Sequence, residues 1–212
     1  MRPLRNNRSV LPLSVAAFLM AIGTAGADTV IPLEEKDIGR TGGNDLERCL
    51  RGDETCDDGG VDFTLDDVIN LGIVDHEEVA DTPASEGDTP LNRTEPLPSV
   101  DLNVVFDYNS TDIRSDQMGQ LLDLAQVLRS DEFANAILVF MGHTDAKGSE
   151  SFNLDLSRRR AESVAAFVGD VAGIPRHRTR TVGLGFSQLA DPADPLSERN
   201  RRVQLLLVPG GS

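Results

Sequence analysis

The chain of 212 residues has no tryptophan, one tyrosine, two cysteines and three histidines. Two cysteines are too few for a disulfide-dense small protein or for a zinc site with four cysteine ligands. Three scattered histidines offer little for a histidine-based metal centre, and we expect no cofactor. The chain contains no run of 18 apolar residues, which excludes an ordinary spanning helix in its body. The formal net charge of −15 argues against nucleic acid as a partner, because surfaces that bind nucleic acid are basic.

The first 27 residues have the layout of a signal peptide. A basic start, MRPLRNNR, precedes an apolar stretch at 10–23, and the sequence Ala-Gly-Ala at 25–27 is a small-x-small cleavage site before Asp28. The alternative is an uncleaved membrane anchor, although the apolar stretch is short for a span. No cysteine directly follows this stretch, which argues against a lipoprotein anchor. We therefore expect export to an oxidising compartment outside the cytoplasmic membrane.

Charge divides the mature chain into two parts. Residues 28–97 hold 20 Asp and Glu against five Lys and Arg, whereas residues 98–212 hold 15 against 12. The stretch 81–97 is rich in Pro, Thr, Ser and Glu and has almost no apolar side chains to bury. This pattern predicts a linker over 81–97 that joins an acidic, largely irregular region, 28–80, to a globular domain, 98–212.

Two features of the acidic region predict local order. Cys49 and Cys56 are seven residues apart, and an oxidising compartment favours a disulfide between them. Two free thiols or a metal pair are the alternatives. Thr64 and Asp67 have the spacing of a capping box with Asp in place of Glu, which predicts a short helix over 65–71 that Gly72 ends.

The apolar periodicity of residues 98–212 predicts an α+β domain with the element order β-α-β-α-β-β. The predicted strands are 101–108, 136–141, 179–185 and 203–208, and the predicted helices are 115–129 and 153–171. The stretch 136–141, AILVFM, is apolar on both sides and is therefore expected to be a central strand. We expect the helices to cover one face of a single mixed sheet, which gives a two-layer domain.

A series of spaced motifs follows the predicted central strand. GHTD at 142–145 begins the pattern GHTD-x-x-G-x-x-x-x-N-x-x-LS-x-x-RA, which ends at Ala161, and NRRV at 200–203 comes about 40 residues later. FDYNS at 106–110 precedes both. In this order the motifs resemble the peptidoglycan-binding domain of the OmpA family over about residues 98–208.

The residues after the central strand suit a zwitterionic ligand. The carboxyl end of a strand that opens onto a helix N-terminus is a favoured place for binding, and Asp145 lies there. Arg160 is two turns into the predicted helix and falls about 40° from Val164, at the margin of the buried face. Asp145 would accept from an ammonium group, and Arg160 would hold a carboxylate through two parallel bonds. The alternative is that Asp145 and Arg160 form only an internal salt bridge.

The resemblance implies a specific ligand, the free end of diaminopimelic acid in a peptidoglycan stem peptide. It implies that Asp145 and Arg160 hold this group, and that further residues line the same pocket. Two of these residues have alternative interpretations, a helix cap for Asn153 and a surface charge at the start of a strand for Arg201. The further pocket residues that the resemblance implies are Asn153, Thr144, Arg201 and Asn109, the last standing where many relatives have Asp.

These expectations together predict a binding protein of the cell envelope. We expect non-catalytic binding of peptidoglycan in the periplasm, in association with the outer membrane, that anchors the protein or a partner to the cell wall. An outer-membrane or other envelope protein is the expected partner of residues 28–97. One alternative is an enzyme acting on peptidoglycan, although no nucleophile with its base stands out. Another is a surface adhesin that uses the acidic region.

Overall fold

The computed structural model describes residues 43–52, 62–79, 93–107 and 109–210. The proposed signal peptide and the start of the mature chain lie outside these residues, as does most of the predicted linker. The described helices and strands are α1 (Gly43–Arg51), α2 (Leu65–Asn70), β1 (Ser99–Leu102), α3 (Met118–Val127), β2 (Ile137–His143), α4 (Glu150–Ala172), β3 (Thr179–Gly185) and β4 (Val203–Val208). Short 3-10 helices occur at Asp131–Phe133, Arg176–Arg178 and Glu198–Asn200.

The four strands form one mixed sheet in the order β1-β4-β2-β3. β4 is antiparallel to both of its neighbours, and β2 is parallel to β3. Every residue of β2 and of β4 is buried, because both strands are central and both sides of the sheet are covered. The α+β class, the mixed sheet, the order β-α-β-α-β-β and the central position of the AILVFM strand are therefore confirmed.

One face of the sheet, called here the first face, packs against α3 and α4. α1 packs beside α3 and β1 and adds two leucines to the same core. Alternate residues of the strands point into this core, as the period of two in a strand requires. Its buried members include Leu46, Leu50, Leu121, Leu124, Ala125, Leu138, Phe140, Ala161, Val164, Val168, Val203, Leu205 and Leu207.

Two glycines let α4 lie directly on the sheet. A Cβ added at Gly142 would overlap the backbone oxygen of Ser157, and one added at Gly183 would overlap that of Leu154. The Ser157 hydroxyl joins helix to strand, since Oγ donates to Leu154 O at 3.0 Å and accepts from Gly185 N at 3.0 Å. This close contact fixes the first half of α4 against the carboxyl end of β2.

The second face of the sheet is covered by residues 62–79, which include α2. Its core joins this segment to residues of β2 and β4 on the side away from α4. An ion pair between Glu78 and Arg180 and a bridge between Val79 and Gly210 add to the contact. The buried members of this second core include Phe63, Leu65, Val68, Val74, Val79, Ile137, Val139, Met141, Leu206 and Val208.

This cover differs from the expectation that helices lie on one face only. α2 lies on the opposite face from α4, because two central strands that are apolar on both sides need a cover on each. All described residues belong to one compact unit, and the packing crosses the boundary expected at residue 98. At the end of the predicted linker, Leu97 N donates to Phe63 O at 2.8 Å. The division at residue 98 therefore remains a prediction drawn from charge and motifs.

The first strand is shorter than predicted and begins earlier. β1 ends at Leu102 instead of continuing to residue 108, and Tyr108 itself lies outside the described residues. The register explains the early end: Leu102 already pairs with Val203, the first residue of β4, so the next residues have no partner strand. Beyond that point only an isolated bridge pairs Phe106 with Ile113.

The α3 helix buries a different stripe from the one predicted. The apolar spacing predicts a buried stripe of Met118, Leu121, Leu122, Ala125 and Leu128. Met118 and Leu122 are instead 38% and 47% exposed, whereas Leu124 is fully buried. Leu121, Leu124, Ala125 and Leu128 form the observed stripe, which also has helical spacing. The sequence offered two overlapping stripes, and packing against α4 selected one of them.

The remaining elements lie close to their predicted bounds. β3 and β4 match 179–185 and 203–208, while α4 begins three residues before the predicted start at 153. The capping box of Thr64 and Asp67 is confirmed at the start of α2, and Gly72 has the positive φ expected beyond a helix end.

Cys49 is buried on α1, and Cys56 lies outside the described residues. The disulfide between them therefore stays a prediction.

Among the helices that the structure describes, none combines the length and apolarity needed to cross a membrane.

Candidate ligand-binding site

A cavity of about 440 Å³ opens where β2 ends and α4 begins. All six residues that the sequence assigned to a binding site line it. The structure therefore brings together residues that are up to 92 positions apart in the chain, between Asn109 and Arg201. The lining residues are Phe106, Asn109, Thr144, Asp145, Lys147, Gly148, Phe152, Asn153, Leu156, Arg160 and Arg201.

Asp145 is paired with Arg201, not with Arg160. Its Oδ2 accepts from Arg201 Nη1 at 3.0 Å, and its Oδ1 accepts from the backbone N of Lys147 at 3.1 Å. The Asp145 side chain is 15% exposed, so this ion pair is partly shielded from water. A carboxylate can accept about four hydrogen bonds, which leaves room for a donor from a ligand. The Asp145–Arg160 salt bridge, one of the alternatives, is absent from the described contacts.

Arg160 is 6% exposed and is held by backbone oxygens. Nε donates to Ser110 O at 3.1 Å, and Nη2 donates to Asp107 O at 3.4 Å. The guanidinium carbon lies 4.8 Å from the centre of the Phe106 ring, a cation–π distance. These contacts use two of its five N–H groups. Among the described residues no carboxylate forms an ion pair with it.

The electrostatic surroundings of Arg160 favour an anion. Burial lowers the pKa of its guanidinium, and the nearby charge of Arg201 lowers it further, while Asp145 acts in the opposite direction. An arginine nevertheless stays protonated in proteins, so the effect is an uncompensated positive charge inside the cavity. The lining residues carry three positive charges, from Lys147, Arg160 and Arg201, against one negative charge. The cavity is thus positive in a chain whose net charge is −15.

A side chain of α4 holds the loop after β2 in place. Asn153 is buried and its Nδ2 donates to Lys147 O at 3.0 Å. The helix cap is Ser149, whose hydroxyl accepts from Phe152 N, so the cap interpretation of Asn153 is wrong. Thr144 is buried as well, and its backbone N donates to Gly185 O at 2.8 Å. Both residues shape the wall beside Asp145.

The opposite rim is a tight turn that includes Asn109. This residue has a φ of 54°, a left-handed conformation that Asn adopts more readily than most residues. Ser110 N donates to Asp107 O at 3.0 Å and closes the turn. Because Arg160 bonds the carbonyls of Asp107 and Ser110, the turn and the guanidinium hold each other in place.

Arg201 also reaches out of the cavity. Its Nη2 donates to Glu198 Oε1 at 2.7 Å, while Nη1 stays on Asp145. Arg201 is therefore shared between the cavity and its edge, and it is not an isolated surface charge at the start of β4. The hydrogen bonds and charges of both carboxylates raise the pKa of its guanidinium, against the opposing effect of burial.

Sequence reasoning did not assign the apolar part of the wall. Phe152 is 45% exposed and lines the cavity beside Gly148, while Leu156 and Phe106 lie on other parts of the wall. Lys147 was missed as well. Phe152 and Lys147 occupy variable places between the motif letters, so the motif carries no signal for them.

His143 ends β2 and lies behind the cavity wall. Burial lowers the pKa of its imidazole to about 3, and the charge of Arg202 contributes to the same shift. His143 is therefore neutral near pH 7.

Within the described residues, no group of three or more His, Cys, Asp or Glu side chains is arranged to hold a metal ion.

Comparisons with known proteins place the chain in a family. The model of the OmpA family matches residues 105–202. The peptidoglycan-associated lipoprotein of Rhizobium meliloti (strain 1021) is 32% identical over 135 residues, which are 63% of this chain and 71% of that protein. The chain belongs to the OmpA family. The resemblance that the motifs carried is thereby confirmed.

Other OmpA-family relatives are matched over different shares of their length. The probable lipoprotein YiaD of Escherichia coli (strain K12) is 33% identical over 115 residues, half of this chain and 48% of YiaD. The chain thus spans about half of that relative. Among solved structures, the peptidoglycan-associated lipoprotein from Burkholderia pseudomallei is 27% identical with a TM-score of 0.42, over 49% of this chain and 87% of that one.

Proposed function

We propose that this protein binds peptidoglycan without catalysis and so anchors itself or an envelope partner to the cell wall. The observation that carries the proposal is the cavity at the end of β2, in which Asp145 and two arginines converge. The name of the Rhizobium relative, a peptidoglycan-associated lipoprotein, supports the assignment. Nine of the eleven residues that line the cavity are motif letters, and Lys147 and Phe152 are the two that are not.

The proposed ligand group is the free end of diaminopimelic acid, which carries an ammonium and a carboxylate on one carbon. The carboxylate lies against Arg160, whose remaining N–H groups supply a charge-assisted grip. The ammonium donates to Asp145, which shares its oxygens between Arg201, Lys147 N and the ligand. The surplus positive charge of the cavity favours an ionised carboxylate there.

The other lining residues have supporting roles in this proposal. Thr144 and Asn153 keep the loop around Asp145 in shape, and Asn109 forms the rim opposite α4. Arg201 holds Asp145 and adds a second positive charge near the carboxylate. Phe152 gives the aliphatic part of the ligand an apolar wall.

An enzyme is the weaker alternative because the cavity lacks the usual groups for hydrolysis. Its described lining contains one carboxylate, whereas most glycosidases use two on either side of the scissile bond. It contains no histidine or cysteine, so a nucleophile with an adjacent base has no candidate there. Thr144 has a hydroxyl but no base beside it in the described contacts.

The proposed location follows from the proposed ligand. Peptidoglycan lies in the periplasm, and we propose residence there, bound to the cell wall and associated with the outer membrane. An outer-membrane or other envelope protein is the proposed partner of residues 28–97. Within that region, residues 62–79 and the apolar side of α1 are already packed into the two cores.

Co-sedimentation of the mature chain with purified sacculi tests the proposal. We expect the protein to pellet with sacculi, to be released by free diaminopimelate, and to release no soluble muropeptides during the incubation. 6-Aminohexanoate is the matched competitor, since it carries its ammonium and its carboxylate on different carbons, and it should release less protein. Binding that diaminopimelate does not displace would contradict the assigned ligand group, and release of muropeptides would favour the enzyme.

A further inference from the structure

Two consecutive arginines point to opposite sides of the sheet. Arg201 reaches the cavity and pairs with Asp145, whereas Arg202 reaches the second face and pairs with Asp101 of β1. The distance from Arg202 Nε to Asp101 Oδ2 is 3.1 Å. This alternation follows from the period of two as the chain enters β4. One short segment thus carries a charge pair on each side.

The pair on the second face is far more buried than the one in the cavity. The side chains of Arg202 and Asp101 are 1% and 8% exposed, at the end of a face otherwise lined by residues such as Met141 and Leu206. Taking two charges out of water is costly, and an apolar pair of similar size is often as stable or more stable. Stability alone therefore does not account for a buried ion pair at this place.

The pair is connected to both members of the ion pair in the cavity. The carbonyl of Arg202 accepts from His143 N at 2.9 Å, and His143 stands two residues before Asp145. Arg202 Nη1 also donates to Gln188 O at 3.4 Å. Fixing Arg202 therefore fixes the start of β4 and the end of β2 together.

The residue before Arg201 also anchors its backbone. Asn200 is fully buried, and its Oδ1 accepts from Asp191 N at 2.8 Å while its Nδ2 donates to Asp194 O at 3.0 Å. The partly exposed Arg201 thus stands between two buried polar residues that anchor its backbone. Its long side chain has many rotamers, so the place of its guanidinium depends on how firmly that backbone is held.

We propose that the buried Asp101–Arg202 ion pair is a positioning device that keeps Arg201 on Asp145 and so preorganises the cavity. Asp101 and Arg202 do not line the cavity and act through Arg201. The inference rests on the proposed function for its effect on ligand binding. Its effect on the mobility of the loop after β2 does not depend on any ligand.

The test replaces the pair as a whole. Arg202→Met alone leaves a buried unpaired carboxylate and can unfold the protein, so the informative variant is Asp101→Leu together with Arg202→Met. We expect its melting temperature to equal or exceed that of the wild type. Binding to sacculi should nevertheless weaken about three- to tenfold, the range expected for coupled neighbours. Unchanged binding in a folded double variant would overturn the proposal.

A mutant cycle shows whether the pair acts through Arg201. Arg201→Ala should weaken binding in the wild-type background and have little further effect in the Asp101→Leu/Arg202→Met background. Fully additive losses would mean that the pair acts by another route, and would overturn the proposal. Ile137→Val is the matched control, because Ile137 is buried on the same face at the other end of β2 and should keep wild-type binding.

Amide hydrogen exchange supplies a readout without ligand. Exchange at residues 144–148 and at Arg201 should be faster in the double variant than in the wild type, and unchanged in Ile137→Val. If the wild-type chain did not bind sacculi, the proposed function would fail while this exchange experiment would still decide the positioning role. Equal exchange in the wild type and the double variant would overturn it.

Discussion

The two faces of the sheet are covered by parts of the chain with opposite sequence character. The first face lies under α3 and α4, from the nearly neutral second half of the chain. The second face lies under residues 62–79, from the strongly acidic first half. Asp62, Asp67 and Asp75 of this segment are exposed while Phe63 and Val68 are buried. A high net charge therefore does not prevent a segment from forming part of a core.

The faces also differ in what they carry. The first face ends in an open cavity with a partly shielded ion pair, where a ligand can replace water. The second face ends in a buried ion pair between Asp101 and Arg202, and neither residue lines the cavity of the first face. In the two proposals above, the first face recognises the ligand and the second face supports the cavity. The following experiments test this difference between the faces.

Removal of residues 28–97 should have the largest effect. The truncated chain 98–212 exposes the apolar second face, and burial of a large apolar side chain stabilises by about 1.5 to 3 kcal/mol. We expect a loss of more than about 3 kcal/mol in the free energy of unfolding, with aggregation. Denaturant unfolding and light scattering measure both. A truncated chain as stable as the full one would support the independent domain predicted from charge.

Gly142→Ala should have the next largest effect, on the first face. The added methyl overlaps the backbone oxygen of Ser157, so α4 must move away from β2. Overpacking of this kind costs about 1 to 3 kcal/mol or more, and thermal unfolding measures it. Gly119→Ala on α3, where an added Cβ meets no atom within 4 Å, is the control and should unfold like the wild type.

Asp145→Ala and Arg160→Ala should affect recognition and leave the fold intact. Charge-assisted hydrogen bonds are worth about 1.5 to 3 kcal/mol, so each variant should bind sacculi about tenfold to a hundredfold more weakly. Arg160→Lys should also be impaired, because an ammonium cannot make the planar two-bond contact. Circular dichroism checks the fold, and co-sedimentation measures the binding.

The control for these variants lies on the solvent side of the same helix. Arg158 pairs with Asp155 and Glu162 on the surface of α4, and Arg158→Ala should bind like the wild type. If Arg158→Ala were as damaging as Arg160→Ala, a diffuse basic stripe would explain binding better than the cavity.

Acid should lower the stability of the folded protein, because the buried His143 must be protonated. The pKa of this imidazole is about 3 in the folded protein and near 6.5 in the unfolded chain. Unfolding therefore takes up a proton below pH 6.5, so the stability that His143 contributes is complete above pH 6.5 and is lost as the pH falls towards 3. The expected loss at pH 5 is about 2 kcal/mol. His143→Gln should flatten this part of the pH profile in thermal unfolding, and an unchanged profile would contradict the assignment.

Reductant should have the smallest effect. The chain-entropy model gives a loop as short as that between Cys49 and Cys56 at most about 2 to 3 kcal/mol, and strain can cancel this contribution. Because α1 packs beside α3 and β1, a small decrease of the melting temperature should reach the whole compact unit. Mass spectrometry without reductant tests the disulfide itself. Two free thiols in the exported protein would show that the pairing is wrong.

The sequence predicted the elements whose pattern is complete within a short window. β3 and β4 have the predicted bounds, and the capping box at Thr64 and Asp67 needs only four residues. The predictions were wrong where the bounds or the buried side of an element depend on a neighbouring element. β1 stops at Leu102 because β4 begins at Val203, and α3 buries Leu124 because α4 contacts that side.

In the candidate site, too, local patterns predicted which residues come together, and contacts with distant segments decided how they pair. The motif letters put Asp145, Arg160 and Arg201 near one another, but the sequence paired Asp145 with the wrong arginine in the salt-bridge alternative. Spacing along a helix gives a direction for Arg160 and gives nothing for the backbone carbonyls that hold it. Those carbonyls belong to Asp107 and Ser110, about 50 residues earlier in the chain.

By itself, the sequence determined the α+β class, the element order, the family and the set of six residues around the cavity. These depend on local periodicity and on spaced motif letters, which a single chain displays directly. Only the tertiary structure decided that acidic residues 62–79 complete the second core, that Arg201 and not Arg160 holds Asp145, and that Arg202 lies on the opposite face. These facts depend on contacts between distant parts of the chain, which form only when the sheet and its two covers pack together.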